Sequence, residues 1–217
     1  MNIISLKKGL RKIRKINIRT FLINNKLLIF LSIFLLVGIF FGAILLKYAD
    51  SGVIKLINVL FLSDLKKRFS RTLLEVFVTS ISSTFIFVVL SFFIGLSTWG
   101  FVLAPLVPFA RGICIGLTES YLYSAYGVNG IILHTIVFLP GIFVSSVAVL
   151  LMTRESMKIS NHFSSMIFLK NKSESVHNSV KLYLVRTGCI AIIVIISSAI
   201  DLVSSLLFSR ISSFVTI

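Results

Sequence analysis

Acidic residues are scarce: the 217-residue chain has 7 Asp and Glu against 22 Lys and Arg, and only 13% of its residues are charged. Average soluble domains carry roughly 25% charged residues. With 57% hydrophobic residues and a mean hydropathy of +1.04, the chain has too few polar groups to cover a surface in water. That excludes the soluble enzyme classes. Cysteine is almost missing as well. Cys114 and Cys189 sit in separate apolar segments with neither zinc-like nor redox spacing, so both read as packing residues. There is no G-x-S-x-G, no H-E-x-x-H, no phosphate loop, and no nucleophile with a base at a motif spacing. The sequence therefore nominates no catalytic, cofactor-binding or metal-binding residue. His134 has no second ligand spaced to join it at a metal, and His162 and His177 read as ordinary surface residues.

The formal charge of +15 would suggest nucleic acid in a soluble protein. Here most basic residues lie outside the apolar stretches, where they set topology and meet lipid headgroups. The expected partner is the lipid bilayer, and no nucleic acid is expected.

What is abundant is long apolar runs. The sequence predicts an all-α integral membrane protein, a bundle of five transmembrane helices with amphipathic interfacial segments. The spans fall at about residues 27–46, 76–94, 101–123, 131–152 and 187–208, within one membrane domain 27–208. The first is about 30 Å long at 1.5 Å per residue, which matches the hydrocarbon core. It exceeds a signal-peptide core and no A-x-A site follows, so it is expected to stay as an anchor. Ahead of it, residues 1–26 form a basic arm. Ile3, Leu6, Leu10 and Ile13 recur at helical spacing opposite Lys7, Lys8, Arg11, Lys12, Arg14 and Lys15. This reads either as a helix on an anionic leaflet or as a disordered positive flank. A second amphipathic stretch, Ile54 to Leu62, precedes the cluster Lys66-Lys67-Arg68. Arg154 to Arg186 reads as a polar stretch, with Ile159, Phe163 and Met166 at helical spacing, and 209–217 as a short tail. With the N-terminus inside, 14 basic residues fall on the inner side and 7 on the outer. That favours a cytoplasmic N-terminus in a bacterial cell membrane.

Departures from a plain lipid-facing helix carry the remaining information. Gly38 and Gly42 in the first span, and Gly112 and Gly116 in the third, each form a small-x-x-x-small face that permits close helix packing. Thr79, Ser80, Ser82, Ser83 and Ser91 line the second span, where hydroxyls bond back to their helix or to a neighbour. Pro105 and Pro108 lie in the first turns of the third span, where a missing amide donor costs least. Gly127 and Gly130 allow a tight hairpin, and Pro140-Gly141 breaks the fourth span. Arg111, Glu119 and Asp201 are charges inside spans, each costing several kcal/mol if it faces lipid. Either Arg111 pairs with Asp201 or Glu119 to line a path or a bistable seam, or the pair fixes helix register. A small bundle without a cofactor favours register.

The run from Gly95 to Pro140 contains Phe109-Ala110-Arg111-Gly112-Ile113-Cys114-Ile115-Gly116-Leu117-Thr118, Tyr126-Gly127-Val128-Asn129-Gly130-Ile131 and Phe138-Leu139-Pro140. It resembles the stage II sporulation protein M family. The family's first-span motif is matched by Gly38-Ile39-Phe40-Phe41-Gly42-Ala43, and Ala199-Ile200-Asp201 is similar to its last span, with Asp where Glu is usual. The chain departs from the family pattern after Pro140, where Gly141, Ile142 and Phe143 replace a polar amide, and at Glu119. The resemblance implies a non-enzymatic scaffold in sporulation. Such a scaffold holds the peptidoglycan-degrading stage II sporulation proteins D and P at the septal membrane during engulfment. A second reading is a membrane component of bacteriocin maturation, export or immunity beside an ATP-driven (ABC) transporter. A third is a permease with Arg111, Glu119 and Asp201 in a polar path, which lacks support from internal repeats or paired broken helices. The sequence leaves the oligomeric state open, a homo-oligomer included.

Overall fold

The structure, a computed structural model, describes residues 25–48, 73–128, 132, 135, 138–169 and 176–214. The described residues are helical apart from short turns. The elements are α1 (Lys26–Lys47), α2 (Leu73–Leu96), α3 (Gly100–Leu103), α4 (Leu106–Tyr126), α5 (Leu139–Leu169) and α6 (Val176–Phe214). Helices are the expected response of these apolar runs to lipid, because each satisfies its own backbone groups within the segment. Four segments, Lys26–Lys47, Phe77–Leu96, Gly100–Ser124 and Asn178–Leu206, are long and apolar enough to cross a membrane. The apolar part of α5 starts among residues only partly described, so the bundle has four or five crossing helices.

Local sequence sets the breaks. α2 stops at a turn over Ser97 to Trp99, closed by Ser97 N–H to the Ile94 carbonyl and Gly100 N–H to the Ser97 carbonyl, both at 3.1 Å. Pro105 separates α3 from α4 and caps the latter. The first turns of the third span are thus a short helix and a proline step, not one continuous helix. α4 ends at Gly127, whose φ of +59° is a left-handed conformation that a Cβ disfavours. Ahead of Pro140, Thr135 and Phe138 have the wider π-helical backbone. That is the local adjustment expected where a proline removes a donor.

Two features extend past the sequence expectation. The stretch from Arg154 to Arg186 reads as polar connection, yet α5 continues through it to Leu169 and α6 is already helical from Val176. The tail expected from 209 is helical to Phe214. Cys114 and Cys189 are exposed, not packed. The basic arm, the amphipathic stretch from Ile54 to Leu62, Gly130 and His134 lie outside the described residues.

Residue pairings fix helix directions. Gly38 meets Phe109 and Gly112, while Gly42 meets Ile113, so α1 and α4 run parallel. Ser91 meets Thr153 and Ser97 meets Ser160, so α2 and α5 are parallel too. Arg111 reaches Ser145, and Glu155 pairs with Arg186, which sets α5 antiparallel to both α4 and α6. Direction therefore alternates along the chain as successive crossings require. Lys26, Arg154, Lys158, Lys181 and Arg186 gather at the end where α1 begins. The bundle divides into an α1–α4 pair and an α2–α5–α6 triad. A core of Val88, Val149, Met152, Ile190 and Val194 holds the triad, with Val107 of α4 against it. Leu31, Ala104 and Met157 join the pair to the triad near the same basic end.

Candidate functional site

The α1–α4 seam is built by the two glycine faces, which meet each other. A Cβ on Gly38 would lie 3.1 Å from the Gly112 Cα, and one on Gly112 would lie 3.0 Å from the Gly38 Cα. Cβ atoms on Gly42 and Gly116 would run into the Ile113 and Ile39 carbonyl oxygens. With no side chain between them, the backbones come close enough for dispersion contacts along two full turns. The sequence marked both faces without pairing them.

The mid-bundle polar cluster joins the pair to the triad. Arg111 is buried, at 8% exposed. Its Nη2 donates to Ser145 Oγ at 3.0 Å, and its guanidinium carbon lies 5.3 Å from the centre of the Phe87 ring. Its Nε finds no acceptor among the described residues. Arg111 interacts electrostatically with Asp201. That carboxylate accepts from Ser80 Oγ of α2 and lies against Gly141, where any Cβ would collide with it. Ser197, one turn before Asp201, donates to the Gly141 carbonyl at 2.8 Å. A hydrogen bond to a charged group contributes about 1.5–3 kcal/mol, and a desolvated cation–ring contact about 2 kcal/mol. Arg111 thus touches α2 and α5 directly and α6 through the charge of Asp201. Glu119 lies half-buried two turns further along α4. Pro140 lies in the first turn of α5 beside Gly141, so the break in the fourth span places a residue without a side chain against Asp201.

A second polar seam escaped sequence reasoning. Thr153, Ser156 and Ser160 of α5 are all fully buried, as is Ser91 of α2. Thr153 and Ser91 share a hydrogen bond at 3.2 Å. Ser156 donates at 2.6 Å to the Ser91 carbonyl, and its oxygen lies 3.1 Å from the Tyr183 hydroxyl. The Tyr183 hydroxyl also donates to the Phe92 carbonyl at 3.1 Å, and its ring stacks on Phe92 at 5.3 Å. Ser160 donates to the Ser97 carbonyl and accepts from the Phe101 N–H, both at 2.8 Å, which locks the turn between α2 and α3. The signal was present in the spacing: Thr153, Ser156 and Ser160 fall at i, i+3 and i+7, one helix face. Tyr183→Phe removes the hydroxyl shared by Ser156 and Phe92. It should lower stability by about 1–2 kcal/mol, while Tyr123→Phe, at an exposed position, should leave it unchanged. Thermal unfolding of both variants in detergent checks this, and equal midpoints would remove the seam's energetic role.

At the basic end Glu155 accepts from Lys158 Nζ at 2.6 Å and from Arg186 Nη1. Burial pushes the Glu155 carboxyl up, but the hydrogen bonds and charges of Lys158 and Arg186 outweigh it and hold the group below the usual carboxylate range.

Close glycine packing, hydroxyl seams and interior charges bridging helices define the class: an all-α multi-pass membrane protein whose polar interior residues join helices. Within that class the chain belongs to the stage II sporulation protein M family, whose model matches residues 31–203. Both glycine faces, Arg111, the hydroxyl seam and Asp201 fall inside the match. No curated protein and no solved structure matches the chain.

Proposed function

We propose that the protein is a non-enzymatic scaffold in the bacterial cell membrane that gathers peptidoglycan-degrading partners during spore engulfment. Membership of the stage II sporulation protein M family carries this reading. The use of the interior supports it. Arg111, Ser145, Ser80 and Asp201 engage one another or their neighbours, and the hydroxyls of α2 and α5 are taken up in joining helices. Partners would then meet the outer surface and the exposed ends. A cytoplasmic N-terminus is part of this reading, supported by Lys26, Arg154, Lys158, Lys181 and Arg186 at the end where α1 begins against Lys47 and Arg210 at the other. Family membership makes membrane-anchored hydrolases the first partners to seek.

Affinity purification of the tagged protein from its native membrane tests the reading. Peptidoglycan hydrolases in the eluate are the expected result. An ATP-driven transporter in their place would move the protein to peptide export or immunity. Orientation has its own test. A reporter fused after Ile217 should be active only on the outer side, since five crossings from a cytoplasmic start end there. Activity on the cytoplasmic side removes the five-span topology.

A further inference from the structure

We propose that the groove between α5 and α6 at the basic end holds the phosphate of an anionic phospholipid headgroup, gripped by Lys158 and Arg186. Glu155, Lys158, His162, Leu182 and Arg186 line this groove of about 150 Å³. A water's share of liquid is about 30 Å³, so the groove has room for one phosphate group. Glu155 forms the back, its side chain 12% exposed, while Lys158 and Arg186 are 40% and 45% exposed. Two cations therefore face outward over one half-buried anion, which leaves a net positive mouth. An ammonium has three N–H donors and a guanidinium five, so the bonds to Glu155 leave donors for a phosphate.

Depth selects a lipid. Ser160, on the turn of α5 between Lys158 and His162, is bonded to the Ser97–Thr98 turn. Next in that turn is the exposed Trp99, a residue type enriched at headgroup level. The groove also opens onto an apolar stripe. Leu182, Val185, Cys189, Ile192 and Ile196 are all exposed on α6. Their spacing of three and four residues puts them on one face leading from the groove into the bundle's apolar belt. Phosphate at the mouth and an acyl chain along this stripe match the two halves of a phospholipid.

The test uses the full chain in nanodiscs and native mass spectrometry of the lipids it retains. The nanodiscs contain phosphatidylglycerol and phosphatidylcholine in equal amounts. Wild type should retain phosphatidylglycerol preferentially. The double variant Lys158→Gln with Arg186→Gln should bind it roughly thirtyfold more weakly, the expectation for two basic residues at a membrane surface. Lys26→Gln with Lys181→Gln removes the same charge outside the groove and should change retention less than twofold, so equal loss in both pairs overturns the site. Since the first variant strands Glu155 between lost partners, Glu155→Gln supplies a second readout. It frees both cations and should raise phosphatidylglycerol retention, a gain that a purely structural ion pair would not give. A loss or no change overturns the proposal. Inorganic phosphate at millimolar concentration separates the sources. Displacement of phosphatidylglycerol by phosphate would make the groove a soluble-anion site and overturn the lipid assignment.

Discussion

Gly116→Leu should empty the membrane of folded protein, whereas Ile115→Leu beside it should leave the level nearly unchanged. At Gly116 the first added atom already collides with the Ile39 carbonyl oxygen and lies 3.1 Å from the Ala43 amide nitrogen. Both obstacles are backbone, so no rotamer change relieves them and α1 must move away from α4. Overpacking that side chains can absorb costs about 1–3 kcal/mol. Here the cost should exceed that, because the separation also opens the Gly38–Gly112 contact one turn away. A protein stable by only about 5–15 kcal/mol loses much of its margin. Ile115 exchanges one branched side chain for another of equal volume, which is tolerated within about 1.5 kcal/mol. Protein level in the membrane and unfolding midpoint in detergent are the measurements. Equal tolerance at the two positions would mean that the glycine seam does not hold α1.

Arg111→Leu and Asp201→Leu should each destabilise the protein by about 3–5 kcal/mol, and the double variant should regain part of that loss. Each single change removes one charge of an interior pair, in which Arg111 is buried and Asp201 half-buried. Without Asp201, Arg111 keeps Ser145 and the Phe87 face but no counter-charge. Without Arg111, the Asp201 carboxylate loses that positive charge while the bond from Ser80 remains. The double variant removes both charges and leaves Ser80 and Ser145 able to bond back to their own helices, as Ser145 already does to the Ile142 carbonyl at 3.0 Å. A double-mutant cycle on unfolding midpoints measures the coupling. Strict additivity would separate the two residues and give the permease-like reading more weight.

Much of this arrangement is legible in the sequence. Apolar runs of membrane length mark the helices, and the i, i+4 glycines mark both faces of the α1–α4 seam. Arg111 and Asp201 stand out because a charge in a long apolar run needs a partner. Which faces meet is not legible, since a small-x-x-x-small face specifies closeness and not a partner. The lower half of α5 was hidden for a different reason. Arg154, Glu155 and Lys158 interrupt the hydropathy there, so a reading tuned to lipid-length runs ends the helix at Met152. Yet the helix extends beyond the apolar run, held by Ser156 and Ser160 on its inward side. The long reach of Tyr183 back to Phe92 spans a separation of 91 residues and has no local trace.

The parallel pairing of α1 with α4 also sets a clock on biogenesis. A ribosome adds about 5–20 residues per second, so Gly116 emerges roughly 4–15 s after Gly42 has entered the bilayer. Ser80 waits longer still, since Asp201 lies 121 residues downstream. During that interval the glycine face of α1 and Ser80 of α2 lack the partners that the finished fold gives them. A nascent chain stalled before α6 would carry Arg111 into lipid without Asp201, and α2 hydroxyls without Tyr183 to close the seam. The last helix to be synthesised thus closes contacts that three earlier helices leave open until it arrives.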